Sequence, residues 1–507
     1  MTAAASSLAS SSGLTTGELA RALGRFGASL RGDAEVRVTG ARQDSRRVEP
    51  GELFCARAGG RASGLEHVAE ALSRGAVALL VDRGRAPGDA TVPVIEVDDA
   101  RRALAFAAEA IYGEPSRAVD LVGITGTNGK TTVSFLVEHG LAELGQKPAR
   151  LGTLGLSFQG RASEGTLTTP EADDLSRTFA EIARAGGTHV VMEVSSHALE
   201  IGRVGALRFR VGAFTNLTQD HLDFHGTLEA YGAAKRRLFL DYELDTSVIN
   251  VGDAFGAELA RVAKGRVIRV ARGGAADVAV ESATFGAHGI RATLSTPSGS
   301  VTLASPLTGE HNLENLLVAL GILVALGFEP ERAARALERA PQVPGRLERC
   351  DEPGDDVSVF VDYAHTPDAL ERVLAALRRA SFGELVCVFG CGGDRDPGKR
   401  PKMGAAVARA ADRAYVTNDN PRSEDPRAIA AAIEPALAES GIAYEVELDR
   451  AAAIRRAVLE AAPGATVLLA GKGHEPYQII GSETRHFDDR EEARRALAER
   501  RARGGGA

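Results

Sequence analysis

Short apolar runs alternating with longer amphipathic stretches set the reading of this chain. In the first hundred residues the runs Leu53-Phe54-Cys55, Val77-Ala78-Leu79-Leu80-Val81 and Val94-Ile95-Glu96-Val97 predict strands. The last starts directly after Pro93, and a missing backbone N–H is tolerated better at the start of a strand than in its middle. The turn-rich stretch Tyr112-Gly113-Glu114-Pro115-Ser116 predicts a linker. Strands are then expected at residues 120–125, 188–193, 211–215 and 247–250, with helical stretches between them. A third alternating block opens near Pro344, with strands expected at 358–362, 384–390, 413–417 and 466–470. Strand–helix alternation of this kind gives an α/β fold, a largely parallel sheet covered by helices on both faces. The pattern divides the chain into domains at 1–115, 116–343 and 344–507. The run 316–328 is the longest apolar one and falls far short of the ~20 residues of a membrane span, so it is expected to be a buried helix.

Composition narrows the classes of function. A chain of 507 residues exceeds one ordinary core, which agrees with three domains. A net charge of -8 argues against non-specific binding to nucleic acid, and the absence of tryptophan against a base-stacking binder. An anionic substrate must therefore be held by local basic groups or backbone amides. The cysteines Cys55, Cys350, Cys387 and Cys391 have neither disulfide-ladder nor zinc spacing and are read as free thiols of a reducing cytosol. The first 14 residues carry no basic group and read as a frayed tail rather than a secretory signal; the tail 503–507 is expected to be disordered. Small cytoplasmic substrates, no membrane and no nucleic acid are the expectation, with a monomer as the working unit.

Gly126-Thr127-Asn128-Gly129-Lys130-Thr131-Thr132 lies between an apolar strand and a helix expected to start near Thr131. Glycines let backbone N–H groups wrap a phosphate, and a helix N-terminus adds partial positive charge there. Lys130 would reach the β- and γ-phosphates, and the Thr131 hydroxyl could ligate Mg²⁺. The loop departs from the common phosphate-loop pattern, since Ile124 stands five before Gly129. It marks an ATP-type site without saying what becomes of the γ-phosphate.

Other segments decide that. Glu193 closes a buried strand in Met192-Glu193-Val194-Ser195-Ser196-His197, and a His/Asp-rich run, 220–226, precedes Tyr231-Gly232-Ala233-Ala234-Lys235. With Asp44-Ser45-Arg46, Thr168-Thr169-Pro170, Gly309-Glu310-His311-Asn312, Pro344-Gly345-Arg346, Asp362-Tyr363-Ala364-His365, Gly392-Gly393-Asp394-Arg395, Asp419-Asn420-Pro421-Arg422 and Gly471-Lys472-Gly473-His474-Glu475, the chain resembles the Mur ligase superfamily, and within it members adding the third residue of the wall peptide. The resemblance spans most of the chain.

That resemblance implies an N-terminal uridine-diphosphate-binding α/β domain, a central phosphate-loop ATPase with a mainly parallel sheet, and a C-terminal Rossmann-like domain that binds the amino acid. It implies that Gly126 to Thr132, with Asn312, Arg346 and Asp362, bind ATP. It makes Lys130, Glu193, His221 and Lys235 the catalytic set, with Thr131, Glu193, His221 and a carbamylated Lys235 around Mg²⁺. By itself Lys235 reads as one lysine of a solvated basic run. Ser45, Thr168, Thr169, Ser195 and Arg203 would meet the UDP-MurNAc-dipeptide. Ile201 stands where many relatives have Gln, which leaves one polar contact of that arm in doubt. Arg395, Asp419, Asn420, Pro421, Arg422, Gly471 and Glu475 would form the pocket for the incoming amino acid. Arg422 could clamp the distal carboxylate of meso-diaminopimelate through two hydrogen bonds, and Glu475 could take its ammonium. L-Lysine in such a pocket would set two cations together.

Three alternatives are weighed against this. A folate-polyglutamating ligase lacks the uridine-binding domain that Asp44-Ser45-Arg46 suggests. A ligase adding a D-Ala-D-Ala dipeptide is disfavoured by the 419–422 loop. A non-catalytic nucleotide-binding scaffold predicts loss of Lys130, Glu193, His221 or Lys235, and all four are present. Gly390-Cys391-Gly392 is no dinucleotide fingerprint, because its third glycine falls at Arg395.

Overall fold

Buried β-branched and leucine-rich runs become the inner strands of three sheets, and each sheet carries its site at the carboxyl ends of those strands. A computed structural model describes residues 13–57, 63–163, 165, 167–286, 289–380 and 383–504. Most of the frayed tail expected at the N-terminus, residues 1–12, and residues 505–507 of the C-terminal tail lie outside the described residues.

The first sheet runs in the order Ser29–Arg31, Val94–Val97, Ala78–Asp82, Glu52–Ala56, Gly40–Arg42, parallel except for its first pair. The strand after Pro93 falls where expected. At 112–116 the chain turns through Glu114 in the left-handed region (φ 54°) into a short 3-10 turn, Pro115–Arg117. This junction is pinned, because buried Glu109 accepts from the Ser116 N–H and the Ser176 hydroxyl, each at 2.8 Å.

The second sheet has eleven strands. From Pro148–Gly152 through His189–Glu193, Asp120–Thr125, Phe209–Phe214, Leu244–Asn250 and Arg266–Ala271 to Val278–Gly286, neighbours are parallel. Antiparallel strands extend both edges: Gly155–Phe158 and Arg161–Ser163 on one side, Gly289–Thr296 and Gly299–Ser305 on the other. The apolar pattern predicts neither these edges nor the inner strands Pro148–Gly152 and Arg266–Ala271. Gly289–Thr296 and Gly299–Ser305 bury roughly alternate residues and Arg161–Ser163 is exposed throughout, so no continuous apolar run announces them. The apolar run 316–328 lies mostly in the helix Glu310–Ala325, buried from Leu316 to Leu323. Among the described residues no helix is long and apolar enough to cross a membrane.

The third sheet, in the order Glu348–Arg349, Ser358–Asp362, Thr466–Ala470, Leu385–Phe389, Arg413–Val416, Ala443–Val446, is parallel but for its first pair. Behind its carboxyl end Arg450 and Asp489 form an ion pair at 2.6 Å with both side chains fully buried. Arg450 also donates to the carbonyls of Ala470 (3.0 Å) and Asn418 (3.3 Å), tying together the ends of two strands whose loops line a cavity. Arg450→Ala would strand the Asp489 charge, and it is expected to lower stability by about 3–5 kcal/mol. A denaturant titration followed by circular dichroism checks this; a loss no larger than the ~1 kcal/mol of a surface pair would refute it.

Candidate functional site

The strand Asp120–Thr125 delivers the chain into the glycine loop, and the helix Lys130–Glu143 begins directly after it. Gly126 (φ 149°) and Gly129 (φ 87°) hold backbone conformations that side chains rarely adopt. A Cβ at Gly126 would lie 1.9 Å from Thr215 Oγ1, and one at Gly129 would lie 2.3 Å from Asn315 Oδ1. The loop is thus closed on one side by the 215–216 segment and on the other by the helix Glu310–Ala325. The Lys130 ammonium folds back to donate to the carbonyls of Gly126 and Thr127, both at 2.9 Å. Burial lowers its pKa, and Glu193 and Asp220 oppose that.

Glu193 ends the strand next to the loop strand and is 1 % exposed. Its carboxylate accepts from Thr131 Oγ1 (3.1 Å), the Thr153 N–H (2.9 Å) and Thr153 Oγ1 (3.0 Å). Gly152 lets the carboxylate approach, since a Cβ there would sit 2.2 Å from Glu193 Oε1. A carboxylate beside a hydroxyl at the mouth of a phosphate loop is the hard-oxygen donor set that Mg²⁺ accepts with few protein ligands. Among the described residues there is no group of three or more His, Cys, Asp and Glu suited to a metal.

Lys235, on the helix Leu228–Leu240, is 1 % exposed rather than part of a solvated face. Its Nζ donates to the Gly126 carbonyl at 2.8 Å and lies 4.1 Å from the centroid of the Tyr231 ring. Burial first, then the Lys130 charge, push its pKa well below that of an ordinary lysine. The structure therefore buries this amine against the phosphate loop, with its pKa lowered by burial and by Lys130. His221 lies in the left-handed region (φ 52°) with Nε2 at 3.4 Å from Asp220. Burial brings its pKa down to about 4, so its ring is neutral near pH 7.

Asn312 and Arg346 reach the same cleft. Asn312 donates to the Thr308 carbonyl (2.8 Å) and accepts from Asn315 (3.1 Å). Arg346 comes from the third domain, donates to Thr131 Oγ1 at 3.1 Å and stacks 4.6 Å over Tyr363. Asp362 accepts from the N–H groups of Leu347 (2.7 Å) and Ala364 (2.8 Å), while burial raises its pKa to about 6. The cleft of about 230 Å³ is lined by Thr127 to Thr132, Glu193, His221, Lys235, Asn312, Arg346 and Asp362 together.

The residues expected at the dipeptide arm are divided. Ser45, which donates to Glu70 at 2.7 Å, lines a cavity of about 820 Å³ between the first two domains. Thr168 and Ser195 line the phosphate-loop cleft. Thr169 is 1 % exposed and bonded to the Glu193 carbonyl (2.9 Å), and Arg203 pairs with Glu171 at 2.7 Å. These two line none of the large cavities described here; their present bonds brace the walls.

The third domain supplies most of the wall of a cavity of about 730 Å³, with Arg395, Asp419, Asn420, Arg422, Gly471 and Glu475 on its side and His197 and Gln219 to Asp223 of the second domain on the other. Pro421 lies behind that wall, with its carbonyl accepting from the Glu424 N–H at 3.1 Å. Arg422 is a non-glycine residue at φ 52°. Its backbone is clamped by Ile479 and Gly481 (3.1 and 2.7 Å), and its guanidinium donates to the Gly393 carbonyl at 2.8 Å. Arg395 is exposed, with its guanidinium on the Asp394 carbonyl at 3.1 Å. Asn420 donates to Glu475 at 3.0 Å. Sequence reasoning missed Thr153, which no motif marks and which only strand pairing brings to Glu193. Lys472 stands within the 471–475 motif, whose spacing alone marks no role for it.

Comparison with known proteins agrees with this arrangement. Models of the Mur ligase middle domain, the Mur ligase glutamate ligase domain and the Mur ligase family catalytic domain match residues 124–323, 345–473 and 37–112. A UDP-N-acetylmuramoyl-L-alanyl-D-glutamate--2,6-diaminopimelate ligase of Gloeobacter violaceus is 46% identical over 484 residues, 95% of this chain and 98% of that one. The enzyme of that name from Thermosynechococcus vestitus is 47% identical over 91% of this chain and 94% of its own. A solved structure of a ligase with the same name superposes with a TM-score of 0.69 at 32% identity, covering 96% of this chain and 99% of that one. The Mycobacterium tuberculosis folylpolyglutamate synthase with ADP and AMPPCP, 21% identical, shares the fold over 72% of this chain and 91% of its own (TM-score 0.60). With its three domains all matched and near-full-length relatives at this identity, the chain belongs to the Mur ligase family of ATP-dependent ligases.

Proposed function

We propose that this protein adds meso-2,6-diaminopimelate to the D-Glu γ-carboxylate of UDP-MurNAc-L-Ala-D-Glu at the expense of ATP, in cytoplasmic synthesis of the wall precursor, and that it works as a monomer. The observation that carries the reading is convergence. The phosphate-loop cleft shares Asp220, His221, Tyr363 and His365 with the third-domain cavity. It meets the first-domain cavity where Thr153 adjoins Gly152. A site with one mouth for ATP and two further cavities suits a three-substrate ligase. The relatives carry the name of this reaction over the same length. In this reading residues 1–115 hold the uridine end, 116–343 ATP and 344–507 the amino acid.

A carboxylate resists amine attack because oxide is a poor leaving group. Transfer of the γ-phosphoryl of ATP to the glutamate carboxylate yields ADP and an acyl phosphate. The neutral amine then adds to the carbonyl carbon, and the tetrahedral intermediate expels phosphate and gives up the amine proton, leaving the amide. Lys130, unwound from its own loop carbonyls, offsets charge on the transferring phosphoryl, while the Gly126–Thr132 amides orient it. Thr131, Glu193 and His221, with Lys235 as its carbamate, would hold Mg²⁺, which supplies electrostatic stabilisation of the phosphates. Carbon dioxide adds to a neutral amine with loss of a proton, and the buried Lys235 amine suits that chemistry. Asn312, Arg346 and Asp362 bind ATP; Ser45, Thr168, Thr169, Ser195 and Arg203 hold or brace the dipeptide arm. The Arg422 guanidinium takes the distal carboxylate of diaminopimelate, with Arg395 and Glu475 beside it.

Phosphate release with ATP, Mg²⁺ and UDP-MurNAc-L-Ala-D-Glu, comparing meso-diaminopimelate with L-lysine, tests the reading. Release with diaminopimelate and not with lysine is expected. Release with lysine instead would keep the ligase and remove the diaminopimelate assignment, and release with neither would overturn both.

A further inference from the structure

Beneath the third-domain cavity, behind its lining residues Gly471 and Glu475, lies a cation that the mechanism above leaves unused. Lys472 is fully buried between Gly471 (φ 116°) and Gly473 (φ 55°). Both glycines are required. A Cβ at Gly473 would lie 2.6 Å from Tyr363 Cβ, and one at Gly471 would press on Asp419 Oδ2 at 3.2 Å. This double reversal turns the lysine inward beneath the cavity floor. Its Nζ lies 3.7 Å from Asp419 Oδ1, 3.6 Å from Glu475 Oε2 and 3.3 Å from Asn420 Oδ1. Asp419 Oδ1 is buried and makes no hydrogen bond, so the Lys472 ammonium is the cation beside it. Asn420 is oriented by the same lysine: its oxygen also accepts from the Ile479 N–H (3.0 Å), which leaves its amide nitrogen to donate to Glu475 (3.0 Å).

We propose that Lys472 is a positioning residue for the amino-acid site, whose ammonium balances Asp419 and Glu475 so that Glu475 remains an anion able to receive a substrate ammonium. The inference rests on the substrate reading above and deepens it. Two buried carboxylates without a cation between them would share a proton, because like charges at close range oppose double ionisation. A protonated Glu475 would no longer attract an ammonium group. Burial and Asp419 already push the Glu475 pKa up, and Lys472 opposes them. The other groups facing the cluster are Tyr363, whose hydroxyl donates to Glu475 at 3.4 Å, Tyr477, Arg422, and Arg450 behind Asp419. None of these cations lies between the two carboxylates as Lys472 does.

The test is the pH dependence of kcat/KM for diaminopimelate in the complete enzyme with ATP and the nucleotide acceptor. Lys472→Met is expected to raise KM for diaminopimelate about tenfold while leaving KM for ATP within about twofold. The acidic limb, where Glu475 takes up its proton, should move to higher pH. Lys472→Arg should bring the limb back toward its original position. Asp419→Asn, which removes the neighbouring anion, should move it to lower pH, and this variant decides the matter if Lys472→Met does not fold. Equal changes in both KM values with an unmoved limb would overturn the proposal, as would an unmoved limb in Asp419→Asn. Should the unmodified enzyme use another amino acid, the substrate reading fails separately, and the same limb measured with that amino acid still decides the role of Lys472.

Discussion

Lys235→Ala is expected to lower kcat by about 10²–10³-fold, the scale on which one electrostatic group at a charged transition state matters. Its KM for diaminopimelate should hardly move, because Lys235 lies under the phosphate loop and lines no part of the third-domain cavity. The sign of the missing charge is the informative part. If Lys235 acts as a cation, short alkylamines should restore activity to the alanine variant. If it acts as a carbamate, formate or acetate should restore it, since a small carboxylate can occupy the space of the lost anion. Rescue by a carboxylate is the expected result; rescue by amines alone would sink the carbamate. The unmodified enzyme adds an independent readout. Intact-protein mass spectrometry under bicarbonate should show a species heavier by one carbon dioxide, absent from Lys235→Ala. Burial depresses the lysine pKa, so the neutral amine is favoured in mildly alkaline buffer. Acidification protonates that amine and opposes the addition, so carbamate and activity should fall together as pH drops.

Lys235 also shows where sequence stops being legible. The glycine loop announces itself because its chemistry depends on local spacing, and the strand, loop and helix all fall where the pattern puts them. The inner strands at 120–125, 189–193, 209–214 and 244–250, with those of the third sheet at 358–362, 385–389, 413–416 and 466–470, are legible for a similar reason, since burial on both faces favours apolar runs. Pro148–Gly152 and Arg266–Ala271, interrupted by arginines, are inner strands that no such run marks. The outer strands 289–296 and 299–305 bury roughly alternate residues, and 278–286 is buried only at its start, so none leaves such a run. By residue pattern alone Lys235 belongs to a basic helix face. Its burial depends on Tyr231 and on the Gly126 carbonyl 109 positions away, which no local rule encodes. Thr153 is invisible for the same reason, because only the pairing of 148–152 with 189–193 brings it to the Glu193 carboxylate. The order of motifs along the chain marks the family, yet the division of the residues proposed for the dipeptide arm between cavity walls and buried braces needs the fold.

Arg422→Ala is expected to raise KM for diaminopimelate about 100-fold, the upper range for loss of a charge-assisted, two-point contact, and to leave KM for ATP within about twofold. Arg422 is well placed for such a contact. Its backbone is held in the left-handed region by paired hydrogen bonds to Ile479 and Gly481, and one guanidinium nitrogen is anchored on Gly393. An anchored fork loses little entropy when a carboxylate arrives. Arg422→Lys keeps the charge but loses the planar pair of donors, so it should recover only part of the affinity. Selectivity carries more information than affinity. L-Lysine lacks the distal carboxylate and places an ammonium near Arg422, so removing the guanidinium takes away a repulsion along with an attraction. The ratio of kcat/KM for diaminopimelate over lysine should therefore fall further in Arg422→Ala than activity with diaminopimelate alone would require, because lysine gains as diaminopimelate loses. A variant in which both amino acids weaken by the same factor would show that Arg422 supports the 419–422 loop without reading the substrate, and the specificity would then have to come from Arg395 or Glu475.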